Sequence, residues 1–189
     1  MAESEIIRLS NLARQTLAQH RESPQLAEST VSRVLDDVCA LFQRQLRSAG
    51  IELRRDYRID GQVRVSAGDL RQVFTNLVSN SIDAMEKAGR LELIVQGAGA
   101  YVEVAVVDNG CGISSEDLES IFHPFFTTKG EKGTGIGLWV VKGIIERFGG
   151  TIEVESSTNG NTGTRFNIAL PAKHDDEIAS SLEEDKKSA

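Results

Sequence analysis

Residues 70–85 read Leu-Arg-Gln-Val-Phe-Thr-Asn-Leu-Val-Ser-Asn-Ser-Ile-Asp-Ala-Met. At about 100° per residue this run predicts a helix on which Asn76, Asn80 and Asp83 fall within roughly 60° of one another. Leu70, Phe74, Leu77, Val78, Ile82 and Met85 take the opposite side, a stripe wide enough to face a core. The polar stripe is made of two amides and a short carboxylate, all weak helix formers. A solvated face would more often carry Glu, Lys and Arg. Taken alone, an accidental Asn pair on a surface helix explains the pattern as well as a ligand site does. The loops downstream decide between them.

The chain around this helix has 189 residues, which predicts one domain plus an appendage. Its hydrophobic content is 40% and its charged content 26%, ordinary for a globular chain able to bury a core. A formal net charge of −7 argues against general nucleic-acid binding. No apolar run approaches the length of a membrane span, and no secretory signal precedes the first predicted helix. Cys39 and Cys111 match no metal-ligand spacing. Together these features predict a cytoplasmic segment with two reduced thiols, no membrane contact and no nucleic-acid partner.

Working upstream, residues 6–21 place Ile6, Leu9, Leu12, Ala13, Thr16 and Leu17 at helical spacing, and Pro24 ends the run. So short an amphipathic helix needs a partner. Residues 31–49 predict a second helix, which Ser29 or Thr30 caps and Gly50 ends. Residues 51–59 alternate like a half-buried strand, and residues 63–65 read as a shorter strand. Downstream, Gly89 is expected to close the central helix. Residues 91–95 and 101–107 then predict a hairpin across Gly97-Ala98-Gly99. A capped helical turn over 114–121, a loop over 123–134, a helix over 136–148 and strands over 151–155 and 164–170 follow. This order predicts an α+β fold, a two-layer α/β sandwich with a mixed sheet and helices over one face.

Two glycine-rich stretches carry chemistry. Asp108-Asn109-Gly110-Cys111-Gly112 follows an apolar strand. Asn-Gly alone is an ordinary turn; the second glycine is not required by a turn, and it lets backbone pass close to a flat ligand. A carboxylate just before it accepts from an exocyclic amine, which adenine offers where guanine offers an acceptor. Gly130, Gly133, Gly135 and Gly137 form the second stretch and run into a helix, whose free amides and dipole suit phosphate. The spacing is neither that of a P-loop nor that of a dinucleotide-binding fingerprint.

The sequence thus runs Asn-x-x-x-Asn on a helix, Asp-x-Gly-x-Gly after a strand, a Phe-rich loop, Gly-x-Gly-x-Gly-Leu before a helix, and Gly-Thr-x-Phe in the last strand. In this order and spacing it resembles the ATP-binding domain of sensor histidine kinases, within the superfamily of gyrase, the heat-shock chaperone ATPase and MutL. The resemblance covers roughly residues 31–171. Asn-Ser-Ile-Asp-Ala-Met over 80–85 and His-Pro-Phe-Phe-Thr-Thr-Lys over 123–129 are most similar to the nitrogen-regulation type.

The resemblance implies a protein-histidine kinase that uses ATP and Mg²⁺, with roles assigned by position. Asn76, Asn80 and Lys129 would carry the catalysis. Asn80 would ligate Mg²⁺ through its amide oxygen, which suits an ion that keeps water and phosphate oxygens as its other ligands. Asn76 would assist at the metal and phosphates, with Asp83 on the same face. Asp108 would accept from the adenine amine. Gly110, Gly112 and Ile113 would shape the base pocket, and Thr164 would support the contact through water. The segment from Phe122 to Lys129 would form part of the lid, with Lys129 and Lys132 near the phosphates. Gly133, Thr134, Gly135, Ile136, Gly137 and Leu138 would wrap the triphosphate. Many histidine kinases carry Lys and then an aromatic where Asp83 and Ala84 stand, so adenine is not expected to stack on this helix.

Residues 1–24 resemble the second helix of a dimerisation hairpin, implying a homodimer and a response regulator receiver domain as partners. The family phosphorylates a histidine followed by an acid and, a little later, a proline. His20 is followed by Arg21, with Pro24 one position too near, and His123 and His174 do not match. The expected organisation is a truncated hairpin over 1–24, a catalytic domain over 27–171 and a disordered acidic tail over 172–189, with the phosphoacceptor helix missing. The alternative is an ATP-hydrolysing conformational clamp of the gyrase or MutL kind, or a module that only binds nucleotide. Clamps place a Glu at the position of Asn76 as general base, and an amide cannot take that proton.

Overall fold

The computed structural model of the chain describes residues 30–85, 88–130 and 133–173. The predicted helix over 6–21 and the tail beyond residue 173 lie outside the described residues.

The elements are α1 (Val31–Ser48), β1 (Ile51–Tyr57), α2 (Ala67–Ala84), β2 (Gly89–Ala98), β3 (Tyr101–Asp108), α3 (Gly137–Arg147), β4 (Thr151–Ser157) and β5 (Gly163–Pro171). The strands form one sheet in the order β1-β2-β3-β5-β4. β1 and β2 are parallel, and the other neighbours are antiparallel. A parallel pair needs a long crossover, and α2 lies in the crossover from β1 to β2. This is the mixed sheet of the expected α+β sandwich.

Strand alternation sorts the two faces. Leu91, Leu93 and Val95, Val102, Val104 and Val106, and Phe166, Ile168 and Leu170 are buried in the core. Their partners there are Val34, Leu35 and Val38 of α1, Leu70, Phe74, Leu77 and Val78 of α2, and Val141, Ile144 and Ile145 of α3. Gln96, Glu103, Arg165 and Asn167 stand at alternate positions on the other face. There Gln96 donates to Glu103 at 2.8 Å and Arg165 to Asn167 at 2.8 Å.

Caps fix the helices. Thr30 Oγ1 accepts from Arg33 N at 3.3 Å at the start of α1, and Gly50 after its end takes φ +67°. At the start of α2, Ser66 Oγ accepts from Asp69 N at 3.1 Å and donates to Asp69 Oδ2 at 2.7 Å. Arg147 in the last turn of α3 reaches Asp69 Oδ1 at 2.7 Å. The pair ties the C-terminus of one helix to the N-terminus of the other, each charge complementing its own helix dipole.

Three local expectations need correction. Residues 63–65 form no strand: Val63 makes a single bridge to Ala172, and the chain turns at once to the Ser66 cap. The hairpin turn is not Gly97-Ala98-Gly99. β2 runs to Ala98, paired with Tyr101, so Gly99 and Ala100 alone make the turn, Gly99 at φ +59°. Gly89 does not close α2. Met85 caps that helix, Ala88 takes the positive φ of 55°, and Gly89 opens β2 opposite Ile51. A side chain at Gly89 would strike Met85, its Cβ falling 2.4 Å from Sδ.

Candidate functional site

Asp108 ends the central strand β3, flanked by Leu91 of β2 and Thr164 of β5. It is 6% exposed. Oδ1 accepts from Gly110 N at 3.0 Å and from Thr164 N at 3.3 Å, and Oδ2 accepts from Ser81 Oγ at 2.9 Å. Burial pushes its pKa above the ordinary carboxylate range, against the pull of these three donors.

The loop after Asp108 is seated on its own chain. Cys111 N donates to Ala84 O at 3.0 Å. A Cβ at Gly110 would lie 2.7 Å from Ala84 Cβ, and one at Gly112, which sits at φ +76°, 2.0 Å from Ser157 O. The close backbone approach these glycines permit is therefore to the end of α2 and the end of β4. Ile113 N donates to Ser156 Oγ at 2.8 Å, and Ser156 Oγ donates to Gly163 O at 2.7 Å. Ser156 and Thr164 hydroxyls are 2.9 Å apart. With the serine proton given to Gly163, Thr164 is the donor of that pair, and toward any further group its oxygen accepts.

The polar stripe of α2 forms as expected. Asn76 and Asn80 are half-buried and Asp83 is exposed, while Leu70, Phe74, Leu77, Val78 and Met85 are buried. Asn76 Nδ2 donates to Gly137 O at 3.4 Å, bringing the first turn of α3 to the stripe. That helix begins after Ile136 with no side-chain cap, so its leading amides are left to other acceptors. Gly133, Gly135, Ile136, Gly137 and Leu138 are half-buried beside it, and Thr134 is exposed.

The loop between Ile121 and α3 folds onto itself and then onto α2. Phe125 N donates to Gly135 O at 2.8 Å, with Phe125 at φ 68° and Gly135 at φ +65°. A Cβ at Gly135 would fall 2.3 Å from Phe125 C. Phe122 packs against the core beneath the Lys142 ammonium, 5.5 Å from its ring. Lys129 Nζ reaches Asp83 Oδ2 at 2.6 Å and Asn80 Oδ1 at 3.3 Å. His123 is exposed on this loop. His20, Lys132 and His174 lie outside the described residues.

The sequence reading missed Ser81 and Ser156. Ser81 sits between Asn80 and Ile82 and is 1% exposed. A serine placed toward the apolar side of a helix was the available signal. Gly163, which opens the Gly-Thr-x-Phe motif, has a packing reason for being glycine: at φ +149°, a Cβ there would lie 2.2 Å from Asp108 O.

Comparison with known proteins places this arrangement. The family described as histidine kinase-, DNA gyrase B-, and HSP90-like ATPase matches residues 66–174. The chain is 38% identical over 144 residues to sporulation kinase A of Bacillus subtilis (strain 168), covering 76% of this chain and 23% of that protein. It is 44% identical over 110 residues to the sensor histidine kinase ZraS of Escherichia coli O157:H7, covering 58% of this chain and 23% of that protein. It therefore spans under a quarter of the length of these curated relatives. Among solved structures, the nucleotide-free catalytic domain of histidine kinase ThkA superposes with a TM-score of 0.69 at 31% identity, covering 77% of this chain and 96% of that one. Full-length ShkA in complex with AMPPNP superposes with a TM-score of 0.68 at 25% identity, covering 77% of this chain and 31% of that one. By family match, fold and sequence, the chain belongs to the histidine kinase-, DNA gyrase B-, and HSP90-like ATPase family and carries a catalytic domain of the histidine kinase type.

Proposed function

We propose that this domain binds ATP with Mg²⁺ between α2 and the loop over 122–135, and transfers the γ-phosphoryl group to a histidine on a dimerisation hairpin. The observation that carries the reading is a convergence. Three separate segments converge on α2: the buried Asp108 carboxylate on Ser81, the Lys129 ammonium on Asn80, and Gly137 in the uncapped first turn of α3 on Asn76.

The division of labour follows from the groups. Asp108 takes the adenine amine, with Gly110, Gly112 and Ile113 holding the loop and Thr164 offering an acceptor nearby. Asn80 is the protein ligand to Mg²⁺, which neutralises charge on the phosphates when bound. Its Oδ1 already faces a cation, the Lys129 ammonium, so the donor suits the ion. Asn76, Lys129, Gly133, Gly135 and Gly137 surround the phosphates, the amides of α3 pointing at them. Asp83 releases Lys129 for that task. Phe122, Thr134, Ile136 and Leu138 support the loop.

Asn76 favours the kinase over a hydrolytic clamp, because an amide donating to Gly137 O cannot act as a base toward water. The proposal extends to partners and organisation. The structure of ThkA is of a complex with the response regulator protein TrrA, with a TM-score of 0.66 at 26% identity to this chain. A receiver domain is the corresponding partner here, reached from a homodimeric hairpin to which residues 1–24 contribute, ahead of a catalytic domain over 27–171 and an acidic tail. No helix among the described residues is long and apolar enough to cross a membrane; a cytoplasmic site of action is part of the proposal.

Incubation with γ-labelled ATP tests it. Binding with little hydrolysis is expected, with no acid-labile label on the chain alone. Label should appear on a supplied hairpin bearing the histidine-acid-x-x-x-proline motif, and Asn80→Ala should abolish it. Label on the chain alone that disappears in His20→Ala would show the chain to be self-sufficient; rapid hydrolysis without transfer would favour the clamp.

A further inference from the structure

Ser81 lies in the interior of α2, where serine is a poor helix former. It is 1% exposed, and a buried hydroxyl is costly unless hydrogen-bonded. A mid-helix serine ordinarily bonds back to the carbonyl one turn earlier. This one donates across the layer to Asp108 Oδ2 at 2.9 Å, 27 residues away in sequence.

The bonds around Asp108 give this contact a specific meaning. A carboxylate has about two acceptor sites per oxygen. Oδ1 spends both on backbone, Gly110 N and Thr164 N. Oδ2 spends one on Ser81. A ligand amine reaching Asp108 must therefore use Oδ2, sharing it with the serine. The two backbone donors hold Oδ1 and with it the plane of the rigid carboxylate; the Ser81 donor fills one acceptor site of Oδ2 and so decides which one is left over.

We propose that Ser81 is a positioning residue for base recognition: it aims the remaining acceptor site of Asp108 Oδ2 at the 6-amino group of adenine and sets the preference for that base. The inference rests on the reading that Asp108 takes the adenine amine. Ser81 touches no ligand itself. Its contribution appears only when a donor is present at position 6 of the purine.

Calorimetry with ADP and with purine riboside diphosphate, which lacks the 6-amino group, separates this from a packing role. Ser81→Ala should weaken ADP by about three- to ten-fold, within the range of one typical net hydrogen bond and less than a direct bond to a charged group because the effect is indirect, and leave the amine-less analogue unchanged. Ser81→Cys, nearly isosteric with a weak donor, should show the same selective loss and provides the test should the alanine variant not fold. Equal weakening of both nucleotides would assign Ser81 to packing and overturn the proposal, as would no weakening of either. Asp108→Asn distinguishes the two levels. If it weakens ADP while Ser81→Ala does not, the adenine reading stands and only the Ser81 proposal falls. If Asp108→Asn leaves ADP binding intact, the adenine reading fails and takes this proposal with it.

Discussion

Lys129 Nζ lies 2.6 Å from Asp83 Oδ2 and 3.3 Å from Asn80 Oδ1, so the loop that carries the lysine is pinned to the polar stripe of α2 by the Asp83 carboxylate and by the oxygen proposed above as the metal ligand. The ammonium stands where another cation would stand. Side-chain exposures of 40% and 51% put the Lys129–Asp83 pair in the range of about 0.2–1 kcal/mol typical of exposed ion pairs.

Asp83→Asn should therefore leave the melting temperature almost unchanged. It should speed amide exchange over 122–130 by about two- to five-fold in the nucleotide-free protein, the equivalent of that energy in local opening. With ADP and Mg²⁺ present, variant and parent should exchange alike, because the lysine has moved to phosphate. Identical exchange without nucleotide would refute the pinning.

Asp108→Asn should weaken ADP binding by about 1–3 kcal/mol or more, the scale of a hydrogen bond to a charged group, yet it should not destabilise the fold at neutral pH. The sign follows from the raised pKa. The native state binds the Asp108 proton more tightly than the unfolded chain, so the stability cost of ionising this group grows as pH rises from the ordinary carboxylate range through the raised native pKa. Below that window the cost is absent. Asparagine can still accept from Gly110 and Thr164, and Ser81 can turn to accept from its amide. Urea titrations should show the variant gaining on the parent as pH rises through the window and matching it in acid. A variant less stable than the parent at neutral pH would contradict the argument.

Gly112→Ala should destabilise the domain by about 2–4 kcal/mol, since it combines a left-handed backbone with a clash against fixed backbone. The Cβ would sit 2.0 Å from Ser157 O, which cannot give way without unpairing β4 from β5. Gly130→Ala provides the comparison: its φ is also positive, +57°, but open space surrounds it, so only the smaller conformational cost of about 1–2 kcal/mol applies. Denaturant midpoints that rank the two the other way would show that the loop over 109–113 is not seated as described.

Asp69→Ala should cost about 1–3 kcal/mol, removing a nearly buried carboxylate that both completes the Ser66 cap and holds Arg147. Arg147→Ala should cost less than that, because it leaves the Ser66 cap in place, and the double variant should be non-additive, as contacting residues are. Strict additivity in the cycle would show that the α2–α3 link contributes nothing.

Much of this was legible in the chain itself. The stripe on α2 could be read because helical period sorted two amides and a carboxylate from six apolar residues, and five of those six are fully buried; Ile82 is half-buried. The β2–β3 hairpin could be read because alternation and glycine marked it. What escaped were the contacts that tertiary structure alone creates. Ser81 stands out locally as a serine on the apolar side of α2, but its partner is on another element and no local pattern names it. The turn at Gly99 and the false strand at 63–65 were misread because glycine identity and short apolar runs underdetermine backbone by a residue or two. Lys129 was expected at the phosphates with a catalytic role; its partnership with Asp83 spans 46 positions and required the loop to be placed.

The position of Asp108 on the middle strand has a consequence for how the domain comes into being. Its neighbours are Leu91 on one side and Thr164 on the other, and Thr164 lies 56 residues downstream. A chain emerging from the ribosome can pair β2 with β3 early, because that hairpin is local, but it cannot complete the carboxylate's surroundings until β5 has cleared the exit tunnel. High sequence separation of this kind slows folding, and the strand edge waiting for its neighbour is exposed meanwhile. Competence to hold nucleotide is thus among the last properties the nascent domain acquires.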